Sequence, residues 1–168
     1  MRTIKTVFAA LAMLAMVGFA SAQQSDANVT KTKVVKASSD KVWTVIRQMD
    51  DIDKYSSAIA KVEWTGVHGV GGQRKCTAPE GNGYFKESIV AFDDVNRTYS
   101  YAVLEGVPTK GMVNSFKVVD LGYNQSMIIW TSKYEQFMEN PNMTEQQFMG
   151  FLNQTIDEFI DNIALASL

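Results

Sequence analysis

At 168 residues, with 16 basic and 18 acidic side chains, the chain has the length of one domain and lacks the positive surplus that nucleic-acid binding needs. A single cysteine, Cys76, excludes an internal disulfide, and one cysteine with one histidine cannot build a four-ligand structural zinc site. No metal or other cofactor is expected.

Residues 1–22 read as a secretory signal peptide. Arg2 and Lys5 supply a positive start, Val7 to Phe19 an apolar run, and Ala20-Ser21-Ala22 a small-residue cleavage site. No later segment is long and apolar enough to span a bilayer, so residues 23–168 are expected to form one exported, soluble domain. Periplasm or the extracellular space is the expected location. Loss of Arg2 and Lys5 leaves 14 basic residues against 18 acidic ones, which makes the mature chain mildly acidic.

Along that domain, Val29 to Lys36 reads as a first strand. Ser38 or Ser39 then caps a helix whose apolar positions are Val42, Trp43, Val45, Ile46 and Met49. A second short helical piece, "IDKYSSAIA", follows Asp50-Asp51. From Lys61 to Glu135 the pattern turns to six strand-like runs, separated by "HGVGG", "EGNG", "DDVN", "GVPTKG" and "LGYN". After Pro141 comes a long amphipathic helix with Phe148, Leu152, Ile156, Phe159 and Ile163 on one stripe, and Thr144 and Gln147 spaced as a capping box. The expected fold is therefore α+β: a curved seven-stranded antiparallel sheet wrapped around the C-terminal helix, with two short helices after the first strand. One helix does not cover that many strands, and the uncovered part of the concave face is where a cavity belongs.

Register identifies the lining. If "EGNG" closes a hairpin with Ala78 opposite Gly83, Cys76 faces Phe85 and Arg74 faces Glu87. Arg74, Cys76, Phe85, Glu87 and Ile89 then share the inward side, while Lys75, Thr77, Lys86 and Ser88 point outward. This register places Lys75 against Lys86, which is tolerable only on a wet face. On the other strands Tyr99, Tyr101 and Val103, and Ile128, Trp130, Ser132 and Tyr134, form the matching inward sets. The candidate ligand-binding residues are accordingly Arg74, Phe85, Glu87, Ile89, Tyr99, Tyr101, Val103, Met112, Trp130, Ser132, Tyr134, Phe148, Leu152 and Ile156.

The stretches "SSDKVWTVI", "DIDKYSSAIAKVE", "GVGGQRKC", "KESIVAFDD", "RTYSYAVLEGVP" and "MIIWTSKYE", in this order and followed by the C-terminal helix, resemble the START-like, helix-grip superfamily. The branch they resemble is the bacterial polyketide cyclase/dehydrase and lipid-transport group, with the plant abscisic acid receptors as more remote relatives. The resemblance spans essentially the whole mature chain. It implies that Arg74, Glu87, Tyr101 and Val103 face a ligand cavity and that the loop Val107-Pro108-Thr109-Lys110 lies at its mouth. Tyr55 stands where many relatives carry tryptophan, and no lysine is placed as a carboxylate anchor.

Three functions follow from such a wall. The leading one is a monomeric binder of a hydrophobic or amphipathic small molecule, such as a lipid, isoprenoid or polyketide-like compound. The second is a cyclase- or dehydratase-type enzyme with Glu87 as acid/base and Tyr101, Tyr134 or Ser132 donating to an oxyanion. The third is a pocketless envelope interaction protein. Arg74 opposes the enzyme by favouring the carboxylate form of Glu87, and a structural ion pair is the simplest role for the two. His68 falls in a turn and lacks a second histidine, Cys76 reads as a small buried residue, and the glycines 69, 71 and 72 lack the helix and lysine of a phosphate loop.

Overall fold

The computed structural model describes residues 28–81 and 83–168. The expected export segment, residues 1–22, lies outside them.

The chain opens with β1 (Val29–Val35), and Ser38 caps α1 (Ser39–Ile46) by accepting the Lys41 N–H at 3.3 Å. Its neighbour Ser39 is turned inside and donates to Asp120 Oδ2 at 3.2 Å. Val42, Trp43 and Ile46 are the buried apolar face of α1.

The second short helix differs from expectation. Only one 3-10 turn forms, Ile52–Lys54, and the chain beyond it is irregular. Side chains of the C-terminal helix hold this segment from outside. The Glu158 carboxylate accepts from the Ser57 backbone N–H at 2.7 Å and from its hydroxyl at 2.8 Å, and Asn162 Nδ2 donates to the Tyr55 carbonyl at 3.0 Å. Backbone groups that a helix would satisfy internally are bonded across the fold instead.

The sheet uses β2 (Lys61–Thr65), β3 (Gln73–Thr77), β4 (Tyr84–Asp93) and β5 (Thr98–Glu105). After the two-residue β6 (Thr109–Lys110) come β7 (Val113–Gly122) and β8 (Gln125–Lys133). With β1 they make one seven-stranded antiparallel sheet in the order β1-β8-β7-β5-β4-β3-β2. β6 pairs separately with β9 (Gln136–Phe137) as a small ribbon. The strand β1 forms one edge of the large sheet and β2 the other. Lys31 and Lys33 on β1 share the inward side with Trp130 and Ile128, and reach Asp157 at 2.8 Å and Asp161 at 2.9 Å.

The last element is α2 (Glu145–Ala166). Its capping box is complete: Thr144 Oγ1 accepts the Gln147 N–H at 3.2 Å, and Gln147 Oε1 accepts the Thr144 N–H at 2.8 Å. The C-terminal half of α2 packs solidly, with Ile156, Phe159, Ile160 and Ile163 buried in one cluster with Trp43, Tyr99, Phe116 and Ile128. Its N-terminal half belongs to a smaller cluster, where Phe148 meets Met112 and Tyr134. No helix of the described residues is long and apolar enough to cross a membrane.

Candidate functional site

The hairpin register is the expected one. Ala78 N–H bonds to the Gly83 carbonyl at 3.0 Å, and down the ladder Cys76 faces Phe85 and Arg74 faces Glu87. The outward Lys75–Lys86 clash is relieved by neighbours: Lys86 Nζ lies 2.9 Å from Glu105, and Lys75 Nζ sits 4.7 Å from the centre of the Tyr84 ring.

Alternation on β4 places Glu87 inward, and the apolar surroundings then force a partner on it. Arg74 and Glu87 are 2 % and 4 % exposed and are joined by a hydrogen bond from Arg74 Nε to Glu87 Oε2. Arg74 Nη1 also donates to the Met49 carbonyl at 2.5 Å, the guanidinium lies 4.6 Å from the centre of the Tyr101 ring, and Tyr99 is a further hydrogen-bond partner. Burial works against the charge on Arg74, but the Glu87 carboxylate outweighs it and holds the guanidinium firmly protonated. Burial likewise pushes the Glu87 carboxyl up from its ordinary range, with Arg74 pulling it back.

Around this pair opens a cavity of about 410 Å³. Its sheet wall carries Arg74, Phe85, Glu87, Tyr101, Val103, Met112 and Trp130, and its helix wall Phe148, Leu152 and Ile156, all of them expected site residues. Four expected residues stand elsewhere. Ile89, Tyr99, Ser132 and Tyr134 point inward and are buried, yet none of them lines the cavity. Ile89 and Tyr99 lie in the packed half of the core, Tyr99 between Trp43 and Phe116 with ring centres 6.4 and 5.5 Å away. Tyr134 is tied to the helix by donating to Glu145 Oε1 at 2.7 Å; burial and that bond push its hydroxyl up to about 12.

The cavity also takes residues that sequence reasoning passed over. The irregular segment after Lys54 contributes Ser56, Ala58 and Ile59, and α2 adds Phe151 and Thr155. Asn114 is a further lining residue; its alternation with Met112, Phe116 and Val118 was the readable signal. The mouth loop expected from Val107 to Lys110 contributes Val107 and Pro108. It is fastened by β6 to β9, with the Pro108 carbonyl accepting from Met138 N–H at 2.8 Å. Gly106 precedes it with φ +93°, and a Cβ there would lie 2.1 Å from the Tyr84 carbonyl oxygen, so this loop approaches the β3–β4 hairpin as only glycine allows.

The other reactive side chains are silent. Burial pushes the Cys76 thiol up to about 12, which leaves almost no thiolate at neutral pH. His68 is exposed, stacks on Trp64 with ring centres 4.7 Å apart and bonds Asp50 at 3.1 Å, away from the cavity. No group of three or more His, Cys, Asp or Glu among the described residues is placed to hold a metal.

A seven-stranded antiparallel sheet, a long C-terminal helix packed against it and an apolar hollow between them define the helix-grip fold. The chain belongs to the family described as polyketide cyclase / dehydrase and lipid transport, whose sequence pattern it matches over residues 26–166. Solved structures agree on the fold. Protein XoxI from Bacillus cereus is 16% identical with a TM-score of 0.71, over 82% of this chain and 93% of that one. An uncharacterised protein from Bacillus thuringiensis is 16% identical with a TM-score of 0.70, over 83% and 97%. A norcoclaurine synthase point mutant from Thalictrum flavum, solved with a transition-state analogue, is 21% identical with a TM-score of 0.62, over 83% and 92%. No curated protein matches the sequence significantly.

Proposed function

We propose that the protein is an exported binder of a hydrophobic or amphipathic small molecule, such as a lipid, isoprenoid or polyketide-like compound, held between the sheet and α2. The observation that carries this reading is the 410 Å³ hollow, whose walls are mostly apolar and aromatic and whose two charged side chains neutralise each other. A space of that size lined by Phe, Tyr, Trp, Met and Leu favours an oily guest over water. The domain description of the family, which includes lipid transport, supports the same class of guest. Export rests on the signal-like residues 1–22, and the periplasm is the proposed location.

The test is native mass spectrometry of the full-length product recovered from its own host's periplasm, followed by organic extraction. A processed chain beginning at Gln23 with a bound organic molecule is expected. Met112→Trp, which plugs the hollow, should release that molecule while leaving the fold intact. A protein that arrives empty and binds no apolar probe would sink the proposal.

A second reading has one observation in its favour. Glu87 lines the cavity with its carboxyl pushed up by burial, a setting suited to proton transfer, and norcoclaurine synthase shares the fold. Against it, the carboxylate is already bonded to Arg74, which favours its charged form. Loss of turnover in Glu87→Gln with guest affinity unchanged would favour the enzyme over the carrier.

A further inference from the structure

Among the described residues, three buried side-chain atoms have no hydrogen-bond partner in the protein: Asn114 Oδ1, Ser126 Oγ and Ser132 Oγ. Buried polar groups are almost always bonded, because stripping water from them without replacement is costly, so each exception calls for a reason. Ser126 stands alone at the far end of β8. Asn114 and Ser132 are direct partners across β7 and β8, and on its other side Asn114 faces Tyr101. Two adjacent orphans in one cross-strand row make a place rather than an accident.

Of the two, Asn114 lines the cavity, and Ser132 lies behind it. Along β7 the inward residues are Met112, Asn114, Phe116 and Val118. Met112 belongs to the cluster at the mouth and Phe116 to the solid core, so Asn114, 3 % exposed, is the last residue of β7 that lines the hollow. Tyr101 stands in the same row and lines the cavity; its hydroxyl accepts from Trp130 Nε1 at 3.3 Å, which leaves its own O–H as a donor. The mostly apolar cavity thus carries two neutral polar side chains in this row, a carboxamide and a phenol hydroxyl.

The chemistry of that patch selects its guest. A carboxamide presents an acceptor oxygen and N–H donors side by side, and an alcohol or phenol hydroxyl, which both gives and receives a proton, answers it in either orientation of the amide. A carboxylate has no proton for the orphaned oxygen. It would also bring a second negative charge into the cavity of Glu87, whose only cationic partner in the lining, Arg74, is already engaged. An ether can only accept, so it too leaves the orphaned oxygen unanswered, and a hydrocarbon offers nothing.

Resting on the binding function proposed above, we infer that Asn114 reads the polar end of the guest, and that the guest is a neutral amphipath bearing a hydroxyl there. Asn114 is then a binding residue whose buried amide is kept for the ligand and not for the fold.

The test compares dodecanol, dodecyl methyl ether and dodecanoate as probes of the processed wild-type protein, with Asn114→Leu and Asn114→Ala alongside, by calorimetric titration and thermal melting. Wild type should bind the alcohol about tenfold more tightly than the ether, the worth of one hydrogen bond to a group otherwise unsatisfied, and should bind dodecanoate more weakly than the alcohol. Asn114→Leu should abolish the preference for alcohol, keep the affinity for ether and raise the melting temperature of the ligand-free protein, since an orphaned polar group has been removed. A structural asparagine would lower it. Should Asn114→Leu fail to fold, the milder Asn114→Ala carries the test by reducing the same preference. Equal binding of alcohol and ether, tighter binding of dodecanoate, or a preference that survives both variants overturns the inference while leaving the carrier function standing. Failure of all three probes to bind removes the carrier function, and the inference with it.

Discussion

The two halves of α2 sit against the same sheet with opposite results. Its C-terminal half meets Trp43, Tyr99, Phe116 and Ile128, large side chains that fill the space and leave Ile163 2 % exposed. Its N-terminal half meets Val103, Met112 and Tyr101 across an open volume, and Phe151 there remains half exposed. Arg74 and Glu87 stand at the boundary. One interface therefore divides its labour: burial in the solid half supplies stability, and the hollow half is released from that duty.

Paired truncations should break or sharpen this contrast. Phe116→Ala, in the solid half, should cost about 3–5 kcal/mol in denaturant unfolding, whereas Phe148→Ala, beside a space already empty, should cost about half that or less. Equal losses would mean that both halves bear the load. Arg74→Ala strands a buried carboxylate and should also cost about 3–5 kcal/mol, while Arg74→Met combined with Glu87→Met should recover most of that loss, because both charges leave together. A double variant no more stable than Arg74→Ala would show that the bonds to Met49 and Tyr99, and not the ion pair, anchor the boundary. The smallest effect belongs to Thr144→Ala, which opens the capping box at the hollow end of α2 and should cost about 1 kcal/mol. Hydrogen exchange in that variant should quicken over residues 145–152 and stay slow at Ile160 and Ile163.

Side-chain period made the fold and the site's central pair legible. The strict alternation on either side of the β3–β4 hairpin put Arg74 opposite Glu87, and the spacing of Phe148, Ile156 and Ile163 announced the buried stripe of α2. Alternation reports which face a residue takes, but not how closely the helix approaches that face. Ile89, Tyr99, Ser132 and Tyr134 therefore point inward as expected but lie behind or beside the hollow. The shift of register between Ile89 and Ala91 was equally invisible, since a bulge answers to twist and not to composition. The irregular run through Ser56 and Ile59 could not be read locally because Glu158 and Asn162, about a hundred residues on, decide it. Asn114 was readable, by the same reasoning that singled out Arg74: a polar residue where the period demands an oily one.

A sheet that never closes on itself presents two rows of unsatisfied amides and carbonyls, the template on which neighbouring molecules stack into fibrils. Here one rim, β1, turns Lys31 and Lys33 toward the concave side and tethers them to Asp157 and Asp161, while the opposite rim, β2, displays Lys61 and Glu63 as a bonded pair. Any incoming strand would have to bury those ammonium groups. This chain guards both borders with charge, so a domain with a void at its centre carries its defence against stacking in its two outermost strands.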